Sequence, residues 1–171
     1  MKCFPKSFRQ QWLDENGVGQ TLQSRLGVRD WDICLALPQN LHKQIAFLEN
    51  SLGDDLGKVG LLVSIEDWPL YLKTEFETVK ALRLSWGEER RLIDAPEHVF
   101  DANETEIALG LFALTIGFGW SATLISTGPT FIAHNWEGEY LDCWCASAEK
   151  QRSLELLAER FEIQFERRKG N

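Results

Sequence analysis

The chain predicts an α+β fold, an antiparallel meander of about four to five strands packed with several helices and a long C-terminal helix. Three observations carry this. An apolar stretch of helix length starts near Asn103 and runs into Gly117-Phe118-Gly119-Trp120. Three segments that alternate with period two follow it, Trp120 to Ile125, Phe131 to Trp136 and Glu139 to Cys145. Turn residues break them at Thr127-Gly128-Pro129 and at Glu137-Gly138, leaving connections short enough for neighbouring strands to pair antiparallel. With 171 residues, 44% of them hydrophobic, the chain can fill one core and is short for two, so a single globular domain over 1–171 is expected.

In chain order, Phe8 and Trp12 share a helical face that Asn16-Gly17 stops, and Leu22 and Leu26 mark another short helix before Gly27. Asp30 to Leu37 is ambiguous; as a short strand it places Ile33 and Leu35 inward, and Pro38 ends it. Leu41, Ile45, Leu48 and Leu52 make an amphipathic stripe closed by Gly53, which predicts a helix from Gln39 to Leu52. Lys58 to Ile65 is a leucine-rich and β-branched run of strand length. Asp67-Trp68-Pro69 starts a helix that carries Leu72, Phe76 and Val79 on one side. Its end is open, because Lys80 to Trp86 also alternates and Gly87-Glu88-Glu89 can turn it into a hairpin with Arg90 to Asp94. In the central helix Glu104 and Glu106 suit the positive end of the dipole and Asp101 or Asn103 can cap it. Ile107, Leu111, Leu114 and Phe118 recur there at helical spacing. Ala148 to Lys169 reads as the long last helix, with Leu154, Leu157, Ala158, Phe161 and Phe165 inward and Arg167, Arg168 and Lys169 in its final turn.

A two-residue turn at Glu137-Gly138 would set Trp136 opposite Glu139, His134 opposite Leu141 and Ile132 opposite Cys143. That register predicts a core face of Ile132, His134, Trp136, Leu141, Cys143 and Cys145, joined by Trp120, Ala122 and Leu124. The other face would hold Phe131, Ala133, Asn135, Tyr140, Asp142 and Trp144.

The formal charge is -8, and its distribution is uneven. Between Leu92 and Glu149 there is no Lys or Arg, whereas Asp94, Glu97, Asp101, Glu104, Glu106, Glu137, Glu139, Asp142 and Glu149 all fall there. This argues against nucleic acid, whose binding rests on Lys and Arg releasing phosphate counterions. The uncharged run from Ile107 to Trp136 is long enough for a membrane span, but glycines, Pro129, acidic flanks and strand-period alternation favour a buried helix and buried strands. Met1-Lys2-Cys3-Phe4-Pro5-Lys6 lacks the apolar run of a secretory signal, so a cytoplasmic protein is expected, and four cysteines at positions 3, 34, 143 and 145 are expected to stay reduced.

No catalytic or cofactor motif is complete. Cys143 and Cys145 point one way along a strand, but structural zinc pairs are spaced by two residues and no second pair exists. His134 beside either thiol suggests a nucleophile and base, against the simpler reading of a satisfied core histidine. Asp94, Glu97, His98 and Asp101 cluster around Pro96 without the spacing of a metal loop. Gly117-Phe118-Gly119 follows a helix and precedes a strand, the reverse of a dinucleotide fingerprint, and Gly53 to Lys58 is one residue short of a phosphate loop. Neither a metal nor a cofactor is expected.

Rings interleaved with carboxylates are the composition that protein interfaces use at their anchors. A basic protein partner is therefore expected at a surface of Asp101, Glu104, Glu137, Glu139, Tyr140, Asp142 and Trp144. In composition and layout alone, small acidic α+β proteins of this kind resemble bacterial immunity proteins, and the resemblance implies a non-enzymatic protein that covers the basic site of a toxin. The alternatives are a small hydrolase or transferase using the His98 or His134 neighbourhood and a structural subunit of a homo-oligomer.

Overall fold

The computed structural model describes residues 1–18, 31–38, 40–52, 60–67, 72–127 and 131–167. Eight strands form one antiparallel sheet: β1 (Lys2–Phe4), β2 (Ile33–Ala36), β3 (Leu61–Asp67), β4 (Glu97–Phe100), β5 (Ser121–Ser126), β6 (Phe131–Trp136), β7 (Tyr140–Cys145) and β8 (Phe165–Arg167). Their spatial order is β1-β4-β3-β5-β6-β7-β2-β8. Among the described residues the helices are α1 (Phe8–Glu15), α2 (Leu41–Leu52), α3 (Lys73–Ser85), α4 (Thr105–Gly117) and α5 (Ala148–Arg160), with single 3-10 turns at Leu92–Asp94 and Ala102–Glu104.

Helices cover both faces of the sheet. On one side Ile33, Leu35, Val63, Ala122, Leu124, Leu141 and Cys143 form the main core with Phe47, Leu48, Phe112 and Leu154 from α2, α4 and α5. On the other side Leu62, Ile125, Ile132 and Trp144 form a smaller core with Trp12 and Leu13 of α1. Coverage on both sides explains why β3 reads as a nearly continuous apolar run and why every residue of β5 is buried.

Several expectations are corrected. The sheet has eight strands, because β1, β4 and β8 are short strands at or near its edges whose pairing comes from distant parts of the chain, and β4 contains Glu97 and His98 of the cluster around Pro96. The C-terminal helix stops at Arg160. Glu162 takes φ 56°, its N–H reaches the Glu159 carbonyl and the Ile163 N–H reaches that of Ala158, which is the Schellman way of ending a helix. Phe165 and Arg167, expected on that helix, belong to β8 instead.

The Lys80 to Asp94 segment is no hairpin: α3 runs through Lys80 to Ser85, and Leu92–Asp94 is a 3-10 turn. Leu72 precedes α3 and is exposed, while β3 extends to Asp67, where the helix had been expected to begin. In α4, Leu111 is buried but Ile107 is 36% exposed, because this helix is apolar nearly all round, packing on both the sheet and α2, so its periodicity does not select one face. Leu41 of the expected α2 stripe is likewise exposed.

The hairpin register is shifted by one residue. Trp136 is opposite Tyr140, His134 opposite Asp142 and Ile132 opposite Trp144. A slip of one exchanges the faces of a strand relative to its neighbour. Leu141 and Cys143 do face the main core, but beside Ala133 and Asn135; Ile132, His134 and Trp136 lie on the α1 side with Asp142 and Trp144. The Leu22 to Leu26 helix, the Gly53 stop, the Gly128-Pro129 break, Arg168 and Lys169 lie outside the described residues. Among the described residues no helix is long and apolar enough to cross a membrane.

Candidate functional site

The acidic tip between β6 and β7 is built on the end of α4. Glu137 and Gly138 both have positive φ, 47° and 79°, and the Glu139 N–H closes the turn on the Trp136 carbonyl at 2.8 Å. Glu139 is then one residue more than a two-residue loop, which moves the first strand pair to Trp136 and Tyr140. A Cβ at Gly138 would stand 2.5 Å from the Ile116 carbonyl oxygen, so only glycine lets the turn lie this close to the helix end. Asn135, fully buried, joins the two: its Nδ2 donates to the Trp120 carbonyl at 2.7 Å and its Oδ1 accepts the Gly138 N–H at 3.0 Å. The turn is thereby docked from beneath, and Glu137 and Glu139 are left exposed.

Next to the tip is a hollow of about 500 Å³ lined by Cys34, Trp136, Glu137, Glu139, Tyr140 and Asp142. A second, of about 750 Å³, shares Cys34 and Tyr140 with it and extends along Ile163 to Glu166. Tyr140, 48% exposed, therefore lies between two hollows whose described lining includes four carboxylates, Glu137, Glu139, Asp142 and Glu166, and no Lys or Arg. Asp142 is buried and accepts the Trp136 Nε1–H at 2.8 Å. Burial, and then Asp142 and Glu166, push the Cys34 thiol up to about 12, so it stays protonated at neutral pH and is a poor nucleophile.

A row of polar groups crosses the α1 side of the sheet through directly opposed positions, Glu97, Ser64, Thr123, His134, Asp142, Cys34 and Glu166. Thr123 Oγ1 is 2.8 Å from Glu66 Oε1 and 2.8 Å from His134 Nδ1, and Arg9 of α1 reaches the same Glu66 oxygen at 2.5 Å. Burial alone would raise the Glu66 carboxyl, but Arg9, Thr123 and His134 together hold it below the usual carboxylate range. In a hydrolytic triad the imidazole stands between hydroxyl and carboxylate; here the hydroxyl stands in the middle and Thr123 is only 1% exposed. The arrangement ties α1 to the sheet. At the far end Ser64 Oγ donates to Glu97 Oε1 at 2.9 Å, and burial raises the Glu97 carboxyl despite Arg9 and Ser64.

The expected surface is only partly assembled. Glu137, Glu139, Tyr140 and Asp142 come together, with Trp136, Cys34 and Glu166 as neighbours that sequence reasoning left out; Glu166 was hidden by the helical reading of β8. Asp101 and Glu104 lie beyond β4, four strands from β7 and at the opposite strand ends, on the order of 25 Å away by strand spacing and rise. Glu104 there accepts the Asp101 N–H at 3.0 Å and pairs with the Met1 amine. Trp144, expected as an exposed ring, is 3% exposed and packs under α1. His98 is fully buried on the main-core side, 3.3 Å from the Val63 carbonyl through Nδ1. Cys143 is sealed in the core, and burial drives its thiol well above the ordinary range. All four cysteines are free, and among the described residues no three His, Cys, Asp or Glu side chains are grouped to hold a metal ion. No known protein family, curated protein or solved structure matches this chain.

Proposed function

We infer that the protein binds a basic surface of another protein through the β6–β7 tip, as an immunity protein covering the cationic site of a toxin would. The observation that supports this is the exposed Tyr140 ring set between two hollows whose described lining includes Glu137, Glu139, Asp142 and Glu166 and no Lys or Arg. A rigid aromatic ring serves as an interface anchor at small entropic cost, and surrounding carboxylates steer a cationic partner and reject acidic ones. The docking of Gly138 on α4 supports the same reading, because a surface held in place loses less freedom on binding. The enzyme alternative has less support, since His98 is sealed from solvent and the hydroxyl beside the partly exposed His134, that of Thr123, is only 1% exposed.

The test is recovery of the partner from the native host, followed by association kinetics at two salt concentrations. The Glu137→Lys, Glu139→Lys double variant is expected to keep its melting temperature and lower the association rate. That effect shrinks as the Debye length falls to roughly 8 Å at physiological ionic strength and below it at higher salt. Tyr140→Ala is expected to raise the dissociation rate by an amount equivalent to about 2 kcal/mol. An association rate indifferent to both salt and charge reversal, or recovery of nucleic acid alone, would sink the proposal.

A further inference from the structure

A different kind of site lies on the main-core side, away from the acidic tip. Between α3 and the segment from Glu88 to Ile93 is a hollow of about 430 Å³, within the size range of small-ligand pockets. Phe76, Val79 and Leu92 give it apolar walls, and Ile93, 66% exposed, stands at its open side. Lys80, Arg83, Arg90 and Arg91 also line it, against Glu88 and Glu89, so cations outnumber acids here in a chain whose formal charge is -8.

Arg83 is the unusual member. It is only 3% exposed, its Nη2 donates to the Ala95 carbonyl at 3.0 Å, its Nε meets no acceptor, and among the described residues no carboxylate forms an ion pair with it. The acids whose charge it feels are engaged elsewhere. Glu88 takes Arg90 Nε and Nη2 at 2.8 and 2.5 Å, and Asp94 takes Arg91 Nε and Nη2 at 2.7 and 3.0 Å. A buried guanidinium is almost always paired, because its desolvation is costly. The positive charge left over is felt by His98: burial first, and then Arg83, push its imidazole down to about 4.

We propose that this hollow binds a small organic carboxylate with an apolar body, whose carboxylate supplies the missing counter-ion to Arg83. A guanidinium matches a carboxylate through two parallel N–H donors, and the walls from Phe76 to Leu92 match an aliphatic or aromatic body.

Calorimetric titration of the intact chain with decanoate tests this, with decanol as the uncharged match. The chain is expected to bind one decanoate saturably and decanol at least about tenfold more weakly, since hydrogen bonds to charged groups are worth that much. Ile93→Glu sets a like charge at the opening of an exposed position; it is expected to leave the melting temperature unchanged and to weaken decanoate more than decanol. Arg83→Met is expected to erase the preference for decanoate, and if that variant does not fold, Ile93→Glu decides the matter. Equal affinity for the two probes, no saturable binding of decanoate, or decanoate binding unchanged by Ile93→Glu would each overturn the proposal.

Discussion

On the side of the sheet that faces α2, α4 and α5, the strands present mostly aliphatic and aromatic groups, with His98, Asn135 and Ser126 as buried polar exceptions. On the side that faces α1, one row of directly opposed residues is apolar and the next is polar, from Glu97 to Glu166, and the acidic hollow lies at the end of that side. Twelve or more residues in each of the covering helices α2, α4 and α5 can exclude water from a whole face; the eight of α1 cover only part of one. The difference teaches how a sheet can hold buried polar groups at low cost: set in one row where they bond one another, as Ser64 does with Glu97 and Thr123 with Glu66 and His134.

The largest expected effect is a cavity on the fully covered face. Leu124→Ala is expected to cost near the top, and Ile132→Ala on the α1 side near the bottom, of the ~2–5 kcal/mol range for such truncations, because α1 can settle into the space and the larger layer cannot. Urea unfolding of both variants checks this. Equal losses, or a larger loss for Ile132→Ala, would break the comparison.

Of the polar exceptions on the covered face His98 is the one that titrates, and its pH dependence is next in size. Its folded-state value is depressed from 6.5 to about 4, so the neutral form is the one that fits the fold. The stability this contributes is fully present above pH 6.5 and is lost as pH falls toward 4, up to about 3 kcal/mol. In a series of urea curves from pH 7 to 4, His98→Gln should flatten that slope. Glu97 acts with the opposite sign, since its raised carboxyl favours the fold as pH falls, so the difference between variant and parent is the quantity to read.

On the α1 side the corresponding group is Glu66, and its effect is smaller because its side chain is 26% exposed. Its folded-state value is lowered, so its contribution is present above the ordinary carboxylate value and lost as pH falls through the folded one. This window lies below that of His98. Glu66→Gln is expected to flatten only the most acidic limb of the curve and to speed hydrogen exchange in α1, which Arg9 no longer holds by an ion pair. Faster exchange in α4 instead would show that the two sides are not independent.

These two sides were not equally legible in the sequence. α1 and α4 both end in the Schellman pattern with glycine at the left-handed position, Gly17 and Gly119, and both stops could be read. α5 ends in the same hydrogen bonds with Glu162 there, which carries no such signal, so the helix was read through into β8 and Glu166 was missed. The order of β6 and β7 was readable from alternation, but their faces depended on whether one residue, Glu139, belonged to the turn or to the strand. Trp144 and Tyr140 do share one face of β7, but α1 packs on Trp144 and leaves Tyr140 exposed, which strand alternation does not foretell. Charge depletion did locate the tip, but linear sequence could not separate it from Asp101 and Glu104 at the far corner of the sheet.

The smallest expected effect separates strain from use. Among the described residues, Glu137 and Glu162 are the non-glycine residues with positive φ, 47° and 56°. Each pays a left-handed penalty of about 1 kcal/mol that glycine or asparagine would reduce. At Glu162 the ion pair to Lys43 is exposed and adds little, so Glu162→Gly is expected to raise stability by about 0.5–1 kcal/mol and to leave association with a basic partner unchanged. At Glu137, Asn followed by Gly138 is a favoured sequence for such a turn, so Glu137→Asn is expected to stabilise by a similar ~0.5–1 kcal/mol. It also removes a charge from the acidic hollow and should slow association. Thermal melts and association rates of the two variants side by side check both halves. Stabilisation by both, with slower association only for Glu137→Asn, would mean that the tip carries a strained glutamate because its charge is used. If neither variant changes association, the positive φ at Glu137 is strain without a functional return, and the α1 side loses its claim to be the working one.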